Sequence, residues 1–423
     1  MSVTLHTGSF LHAPRGEAEG MALAALAVEA GRIVAFDSQA KLSERYPEAL
    51  CIAHPGLIVP GFVDAHVHFP QLAMAGAHGE SLLDWLDRYT FPAELEFANA
   101  RHAQTRARQF VGMLRRAGTT NAMIFGVSFP KAMRALFETL NEAGMGGATG
   151  LVWMNQEGPD GLLSSTEECR AASEALLSEF CSVGSLRYAV LPRFVPSCSP
   201  KMLQAAGDFL QAHPDLLLQS HLSESLDEVK WVQQLYPKAT DYTDVYEQFG
   251  LLGRRSSYAH GIHLSDKELQ RLSATKTRLV HCPSANLYLG SGLFDYRRAK
   301  SAGVEVALGS DVGAGTSLCL LDVLRDFYGV QMVQGNRLSV GEMLHLATQA
   351  GADLLGMTDE TGSFEPGKRA DFVALRPKWD DLFAARWAQC SSMEEQFFAA
   401  AMLGGTSAIA STTIAGQTTV HPG

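Results

Sequence analysis

The 423-residue sequence lacks the features that would direct it to nucleic acid or to a membrane. Its formal net charge of −11 opposes binding to nucleic acid or to an anionic membrane surface, and it contains no run of like charges. No apolar stretch approaches the length of a transmembrane helix, and the N-terminus has neither the basic nor the apolar region of a signal peptide. Because 46% of the residues are hydrophobic and 19% are charged, we expect an ordinary globular protein with neither kind of partner.

Paired cysteines and several common catalytic motifs are also missing. The seven cysteines are scattered from Cys51 to Cys390 without a Cys-x-x-Cys pair, which fits reduced thiols in the cytoplasm better than a disulfide framework. There is no His-Glu-x-x-His and no Gly-x-Ser-x-Gly, so a helix-borne metalloprotease site and a serine nucleophile elbow are excluded. No Gly-x-Gly-x-x-Gly follows a predicted strand, which disfavours the open doubly wound sheet of dinucleotide-binding proteins.

What the sequence does contain is an alternation of strand and helix patterns between two β-rich ends. Residues 1–60 and 365–423 carry short apolar runs with turn signals, and Gly31-Arg32 is predicted to form a hairpin turn. Between them, residues 61–364 alternate apolar strand-like runs with helical periodicity. We therefore predict an α/β fold, a (β/α)8 TIM-like barrel over residues 61–364 with a small β-sandwich formed by the N- and C-terminal segments.

Two histidines end the first predicted barrel strand. The apolar run that begins near Phe62 closes with His66-Val67-His68. Since side chains alternate along a strand, His66 and His68 project from the same face and can bind one metal ion through their ring nitrogens. An isolated His-x-His is more often a pair of ordinary core or surface residues, so the rest of the chain must decide.

Three later strand patterns also end in residues that bind metal ions. They end at His221, His260 and Asp311, each of which taken alone could simply cap a neighbouring loop or helix. In a barrel, however, the C-terminal ends of the strands converge at the active site. Together with His66 and His68, these residues form a nitrogen and oxygen ligand set suited to Zn²⁺ or Fe²⁺.

Glu224 lies three residues after His221, beyond the end of that strand. Burial close to a metal could keep its carboxyl group protonated at neutral pH, as a general acid requires. The alternative is a carboxylate at the start of a helix, with Ser223 as the helix cap. The sequence leaves both interpretations open.

Beyond the strand ends, the sequence resembles the amidohydrolase superfamily and, within it, the guanine deaminase family over almost its whole length. The resemblance is carried by residues 60–68, 70–71, 82–92, 192–194, 220–224, 235–237, 281–292 and 309–315. It implies a barrel with one divalent metal ion, Zn²⁺ or alternatively Fe²⁺. The site residues that it implies are the metal ligands His66, His68, His221 and Asp311, the catalytic residues Glu224, Asp311 and His260, and the substrate-binding residues Gln71, Trp85, Arg193, Phe194 and His221.

The activity that the resemblance implies is hydrolytic deamination of guanine to xanthine and ammonia by a metal-activated water, in purine catabolism or salvage, carried out by a homodimer. No lysine lies between residues 132 and 200, which disfavours the branch of the superfamily that bridges two metal ions with a strand lysine. One stretch departs from the family pattern, because Leu151 and Asn155 replace a common lysine and aspartate. The alternatives are deamination of another amino-purine or a pterin, and a catalytically silent scaffold.

Overall fold

The computed structural model describes residues 3–79, 81–181 and 184–422. Its strands are β1 (Thr4–His12), β2 (Glu19–Glu29), β3 (Arg32–Ser38), β4 (Leu50–Pro60), β5 (Phe62–His68), β6 (Thr119–Phe125), β7 (Gly146–Thr149), β8 (Val152–Trp153), β9 (Leu186–Pro192), β10 (Leu217–Leu222), β11 (Ser256–His260), β12 (Arg278–His281), β13 (Val306–Leu308), β14 (Phe372–Leu375), β15 (Ile409–Ile414) and β16 (Gln417–Val420).

The α-helices are α1 (Gln39–Arg45), α2 (Leu82–Trp85), α3 (Phe91–Leu95), α4 (Ala100–Arg116), α5 (Pro130–Glu142), α6 (Thr166–Phe180), α7 (Pro200–Ala212), α8 (Leu226–Leu235), α9 (Tyr242–Gln248), α10 (Asp266–Thr275), α11 (Pro283–Tyr288), α12 (Tyr296–Ser301), α13 (Leu320–Val333), α14 (Val340–Ala347), α15 (Gln349–Leu354), α16 (Leu382–Trp387) and α17 (Met393–Ala399). A 3₁₀ turn at Phe69–Met74 follows β5, and a π turn at Leu86–Thr90 joins α2 to α3.

The predicted barrel is confirmed. Its parallel strands follow the order β13-β12-β11-β10-β9-β7-β6-β5, with β8 beside β9 as a short continuation after β7. The strands at the two ends of this order are joined just past β13, where the Asp311 N–H donates to the His66 carbonyl at 2.8 Å and the His68 N–H donates to the Val312 carbonyl at 3.0 Å. The closing contact therefore places Asp311 directly beside the two histidines of β5.

The two ends of the chain form a separate β-sheet, as predicted. Its seven strands lie in the order β16-β15-β14-β4-β1-β2-β3 and form one continuous hydrogen-bonded sheet. The predicted hairpin between β2 and β3 is present, but its turn is Ala30-Gly31, one residue earlier than Gly31-Arg32. Ala30 has φ 51° and Gly31 has φ 77°, the positive φ at both positions that a type I′ hairpin turn needs to match the twist of the strands.

Helices α16 and α17 lie between β14 and β15, in a stretch that the sequence analysis assigned to the β domain. Phe383 of α16 and Phe397 of α17 are buried in the main hydrophobic core, which also contains the barrel strands. The C-terminal segment therefore contributes to both parts of the molecule. No helix among residues 3–79, 81–181 and 184–422 is long and apolar enough to cross a membrane.

Candidate active site

The strand-end residues predicted to bind a metal ion lie together at the C-terminal mouth of the barrel. Asp311 Oδ1 is 3.3 Å from His66 Nε2 and 3.1 Å from His68 Nε2, and His221 Nε2 is 3.4 Å from His68 Nε2. His66 and His68 are buried, as is Asp311. Two overlapping groups, His66 with His68 and His221, and His66 with His260 and Asp311, bring their donor atoms within 4.8 Å of one another.

Three of these imidazoles are held by an oxygen acceptor behind the ring. His66 Nδ1 donates to Gln219 Oε1 at 2.7 Å, His221 Nδ1 to the Arg193 carbonyl at 2.7 Å, and His260 Nδ1 to Asn286 Oδ1 at 2.9 Å. Because these oxygens only accept, the proton is on Nδ1 and the Nε2 lone pair faces the mouth of the barrel.

The donor chemistry fits a divalent metal ion. The buried Nε2 atom of His66 has no hydrogen-bond partner among the described residues, so its lone pair is available to an ion. Three neutral imidazole nitrogens and a carboxylate oxygen form a common ligand set for Zn²⁺, and oxygen partners on the far side of the rings are typical of metal-binding histidines.

Asp311 and Glu224 have opposite protonation tendencies in this site. Burial alone would raise the pKa of Asp311, but the imidazoles of His66 and His68 beside it hold that pKa well below its usual value. Burial, and then the negative charges of Asp311 and Glu228, raise the pKa of Glu224 well above its usual value. The site thus shifts the pKa values of its two carboxyl groups in opposite directions, an arrangement that suits base and acid roles.

Glu224 is not part of a helix cap. Helix α8 begins at Leu226, and its cap is Ser225, whose side chain accepts from the Glu228 N–H in a reciprocal capping box. The predicted alternative, with Ser223 as the cap, is therefore wrong. Glu224 Oε2 instead lies 3.3 Å from His260 Nε2, and its side chain lines the pocket.

The backbone is strained where it turns out of the barrel strands. His260 has φ 73°, Asp311 has φ 51° and Ser223 has φ 49°, all in the left-handed region that side chains other than glycine rarely adopt. Such conformations persist where the surroundings hold them, and they often occur at functional sites. At Asp311 the backbone hydrogen bond to His66 stabilises this left-handed conformation.

Arg193 and Gln71 lie on another side of the pocket, and both contact a buried carboxylate that the sequence analysis did not identify. Arg193 Nη1 donates to Glu94 Oε2 at 2.7 Å, and Gln71 Nε2 donates to Glu94 Oε1 at 3.2 Å. The guanidinium carbon of Arg193 also lies 5.2 Å from the centre of the Phe91 ring. These contacts fix the position of both predicted substrate-binding side chains.

Apolar side chains complete the pocket. Trp85 is anchored by a hydrogen bond from Nε1 to the Ala77 carbonyl at 3.0 Å, and Phe194 packs edge to face against Trp231 with ring centres 6.0 Å apart. His66 does not line the pocket, whereas the other predicted site residues do. The lining consists of His68, Gln71, Leu82, Trp85, Leu86, Arg193, Phe194, His221, Glu224, Glu228, His260, Leu289, Asp311 and Ala314.

The residues that the sequence analysis missed act behind the site. Gln219 lies two residues before His221 on β10, and Asn286 lies in α11, where neither follows a strand-end pattern. Glu94 is the fourth residue of α3 and has the appearance of an ordinary helix-start carboxylate. No local signal distinguishes them, because His66, the partner of Gln219, is 153 residues away and Arg193, one partner of Glu94, is 99 residues away.

The departure from the family pattern at residues 150–157 lies outside the pocket lining. Leu151 is buried, and Asn155 exchanges two hydrogen bonds with Ser199, the cap of α7, each at 2.8 Å. A buried apolar side chain thus stands where the family commonly has lysine. An amide that binds the cap residue of α7 stands where the family commonly has aspartate.

Comparison with known proteins places this site in a family. A model of the amidohydrolase family matches residues 57–404, and the chain belongs to that family. Within it, the chain is similar to guanine deaminases, which confirms the resemblance. The guanine deaminase of Escherichia coli (strain K12) is 42% identical over 361 residues, which cover 85% of this chain and 82% of the relative.

Solved structures agree along the whole chain. The structure of E. coli guanine deaminase matches with a TM-score of 0.96 at 36% identity and covers 99% of this chain and 100% of its own. The structure of guanine deaminase from C. acetobutylicum, with guanine bound in its active site, matches with a TM-score of 0.91 at 28% identity and the same coverage.

Proposed function

We propose that this chain hydrolyses guanine to xanthine and ammonia in purine metabolism. The observation that carries the proposal is the 42% identity to a guanine deaminase over 85% of the chain, combined with a pocket lined by every predicted site residue except His66. A related structure with guanine in its active site supports a small purine as the substrate.

We propose one divalent metal ion as the cofactor, Zn²⁺ first and Fe²⁺ as the alternative, held by His66, His68, His221 and Asp311. Such an ion supplies a water molecule whose pKa is lowered towards neutrality. The available Nε2 atom of His66 and the fixed tautomers of His66 and His221 support these residues as ligands.

The proton transfers are assigned to Asp311, Glu224 and His260. Asp311, whose pKa the neighbouring imidazoles of His66 and His68 hold well below its usual value, accepts a proton from the attacking water. Glu224, whose pKa burial raises well above its usual value, donates its proton to the ring nitrogen beside the carbon under attack. It then takes up the proton of the added hydroxyl group as the new carbonyl forms and passes that proton to the departing ammonia. The proton held by Asp311 returns to Glu224 and restores both carboxyl groups. His260, 3.3 Å from Glu224 and 3.8 Å from Asp311, lies between them and orients the water.

Base recognition is assigned to Gln71, Arg193, Phe194 and Trp85, with His221 at the boundary with the metal site. The guanidinium and the amide meet polar edges of the purine, while the aromatic rings meet its flat face. Held in this way, the amino-bearing carbon faces the water. Fixing a reactant in the correct geometry can lower a barrier by about 7 kcal/mol or more.

Compartment and oligomeric state are further proposals. All seven cysteines are free in the structure, which supports a reducing compartment such as the cytoplasm. The homodimer rests on the family resemblance alone, and sedimentation velocity on the purified chain tests it.

The test of function is ammonia release from guanine, adenine, other amino-purines and pterins, on protein of measured metal content. We expect guanine to be preferred over adenine on the order of 10⁴-fold, because adenine presents a donor where guanine presents a carbonyl acceptor. Equal turnover of another amino-purine or a pterin would reassign the substrate. Absence of turnover by metal-loaded protein would indicate a silent scaffold.

A further inference from the structure

Glu94 is a buried charged residue that the proposed reaction does not use. Only 1% of its surface is exposed, it does not line the pocket, and its two carboxylate oxygens accept from Gln71 and Arg193. We infer that Glu94 is a positioning residue that makes Gln71 and Arg193 an edge of hydrogen-bond donors only, and thereby selects purines with a carbonyl at that edge. The inference rests on the proposed function and specifies its substrate class.

The amide of Gln71 can face a ligand in two ways, and Glu94 selects one of them. A carboxylate can only accept, so the Gln71 group that points at Glu94 Oε1, 3.2 Å away, must be the NH₂. The amide oxygen is then turned to the Gly313 N–H, at 3.4 Å. What remains of the amide for a ligand is its second N–H, a donor.

Arg193 is held in a similar way. Phe91 and Glu94 are three residues apart on α3 and so lie on the same face of the helix. One places its ring 5.2 Å from the guanidinium carbon and the other accepts from Nη1 at 2.7 Å. A guanidinium has five N–H groups and no acceptor, so its remaining nitrogens add only donors to the pocket that Arg193 lines.

The charge of Glu94 is also needed. Arg193 is 4% exposed and lies in the same pocket as the proposed metal site, so without a counter-ion its charge would be buried unpaired. With Glu94 ionised, the pair is neutral overall and matches a neutral base. This neutral donor edge complements a ring carbonyl and opposes an amino group at the same position.

The first test compares two substrates of the wild-type enzyme. Guanine and 2,6-diaminopurine carry the same 2-amino group, but the second has an amino donor where guanine has the C6 carbonyl. We expect kcat/KM for guanine to exceed that for hydrolysis of 2,6-diaminopurine to isoguanine on the order of 10⁴-fold. Comparable values for the two bases would overturn the inference whatever any variant does.

The second test is Glu94→Gln. The new amide accepts at one atom and donates at the other, so either Gln71 or Arg193 faces a donor and Gln71 can turn its carbonyl into the pocket. We expect the ratio of kcat/KM for the two bases to fall at least about tenfold, with KM for guanine rising more than kcat falls. Metal content should be unchanged.

The matched control is Glu96→Gln, a neighbouring carboxylate whose side chain is 61% exposed and contacts His102 instead of the pocket. It should leave the ratio unchanged. Glu94→Asp serves if Glu94→Gln does not fold, because it keeps the charge but is too short to contact both partners, and a smaller fall in the ratio is expected.

The outcomes separate this inference from the proposed function. No turnover of guanine by metal-loaded wild-type protein refutes the proposed function. Turnover of guanine with an equal loss for both bases in the Glu94 variants, so that the ratio is constant, leaves Glu94 a merely structural residue and refutes the inference alone.

Discussion

Buried histidines occur in two regions of this molecule, and their surroundings differ. At the barrel mouth, three of the four rings donate from Nδ1 to a fixed oxygen, and a carboxylate lies in front of them. In the terminal sheet, His6 of β1 and His54 of β4 are also buried, but His6 Nδ1 pairs with His54 Nε2 at 2.9 Å, and Phe372 packs against both rings. Burial alone therefore does not distinguish a binding site from a core.

What distinguishes the two regions is the direction of the lone pairs. At the mouth, the acceptors behind the rings leave the Nε2 atoms facing one point, where an ion can replace water as their partner. In the sheet, His6 Nδ1 and His54 Nε2 are hydrogen-bonded to each other, and His6 Nε2 has no hydrogen-bond partner among the described residues. A bound ion would therefore stabilise the histidines at the barrel mouth. In the sheet, burying the two imidazoles only costs the free energy of their lost hydration.

The largest effect is expected from removing the metal ion. Dialysis against a chelator should abolish turnover and also lower the thermal midpoint, because Asp311 and the histidines then face each other without an ion. Adding back one equivalent of Zn²⁺ should restore both. Full activity in protein shown to be metal-free by elemental analysis would disprove the assignment, and two tightly held ions per chain would contradict a single-ion site.

Glu224→Gln is expected to have the next largest effect. The amide keeps the shape of the side chain but cannot shuttle a proton, so kcat should fall about 10² to 10⁴-fold with metal content and fold retained. Glu268→Gln is the matched control, because Glu268 is the capping-box carboxylate of α10. It should cost about 1 kcal/mol of stability and leave kcat intact. A Glu224 variant that behaves like the control would remove Glu224 from the mechanism.

Gln219→Leu tests the acceptors behind the rings. Gln219 fixes the tautomer of His66 and is itself held by the Ala65 carbonyl at 2.8 Å, so its loss should weaken metal affinity about 10 to 100-fold. The control is Gln331→Leu, another fully buried glutamine, which donates to the Phe294 carbonyl instead. Both variants should lose stability, but only Gln219→Leu should need more zinc for half-maximal activity. Equal zinc requirements would show that the tautomer is fixed without Gln219.

The comparison also explains how far the sequence could predict the structure. His66, His68, His221 and His260 follow apolar strands, and the convergence of barrel strands then places them together. Gln219, Asn286 and Glu94 could not be assigned, because their roles depend on partners supplied by other elements. The β-rich ends were predicted from their turns, yet the single continuous sheet and the position of α16 and α17 depend on long-range packing.

The register of local turns was predicted less accurately than the elements they join. The β2–β3 turn was placed one residue late because Gly31 was taken as its first residue, whereas Ala30 also adopts positive φ. The alternative interpretation of Glu224 put the helix cap at Ser223, two residues before the true cap, Ser225. Ser225 has Glu228 three residues after it, as a capping box requires, whereas Ser223 has Leu226 at that spacing. The spacing in the sequence therefore favours Ser225.

The smallest effect is expected in the sheet, and it concerns stability rather than activity. Burial, and then the neighbouring His54, lower the pKa of His6 to about 4, and burial lowers the pKa of His54 as well. Above pH 6.5 the imidazole is neutral in both folded and unfolded chains and costs nothing. As the pH falls from 6.5 towards 4, His6 is protonated in the unfolded chain but stays neutral in the folded chain. The free energy of unfolding therefore decreases, by about 2 kcal/mol at pH 5.

The double variant His6→Leu, His54→Leu should therefore show a smaller difference in thermal midpoint between pH 7 and pH 5 than the wild type. The control is Gln331→Leu, which removes a buried polar side chain but no titratable group and should leave that difference unchanged. If the double variant keeps the full wild-type difference, the sheet pair is not an acid-sensitive element, and buried histidines in the two regions differ only in their ligand.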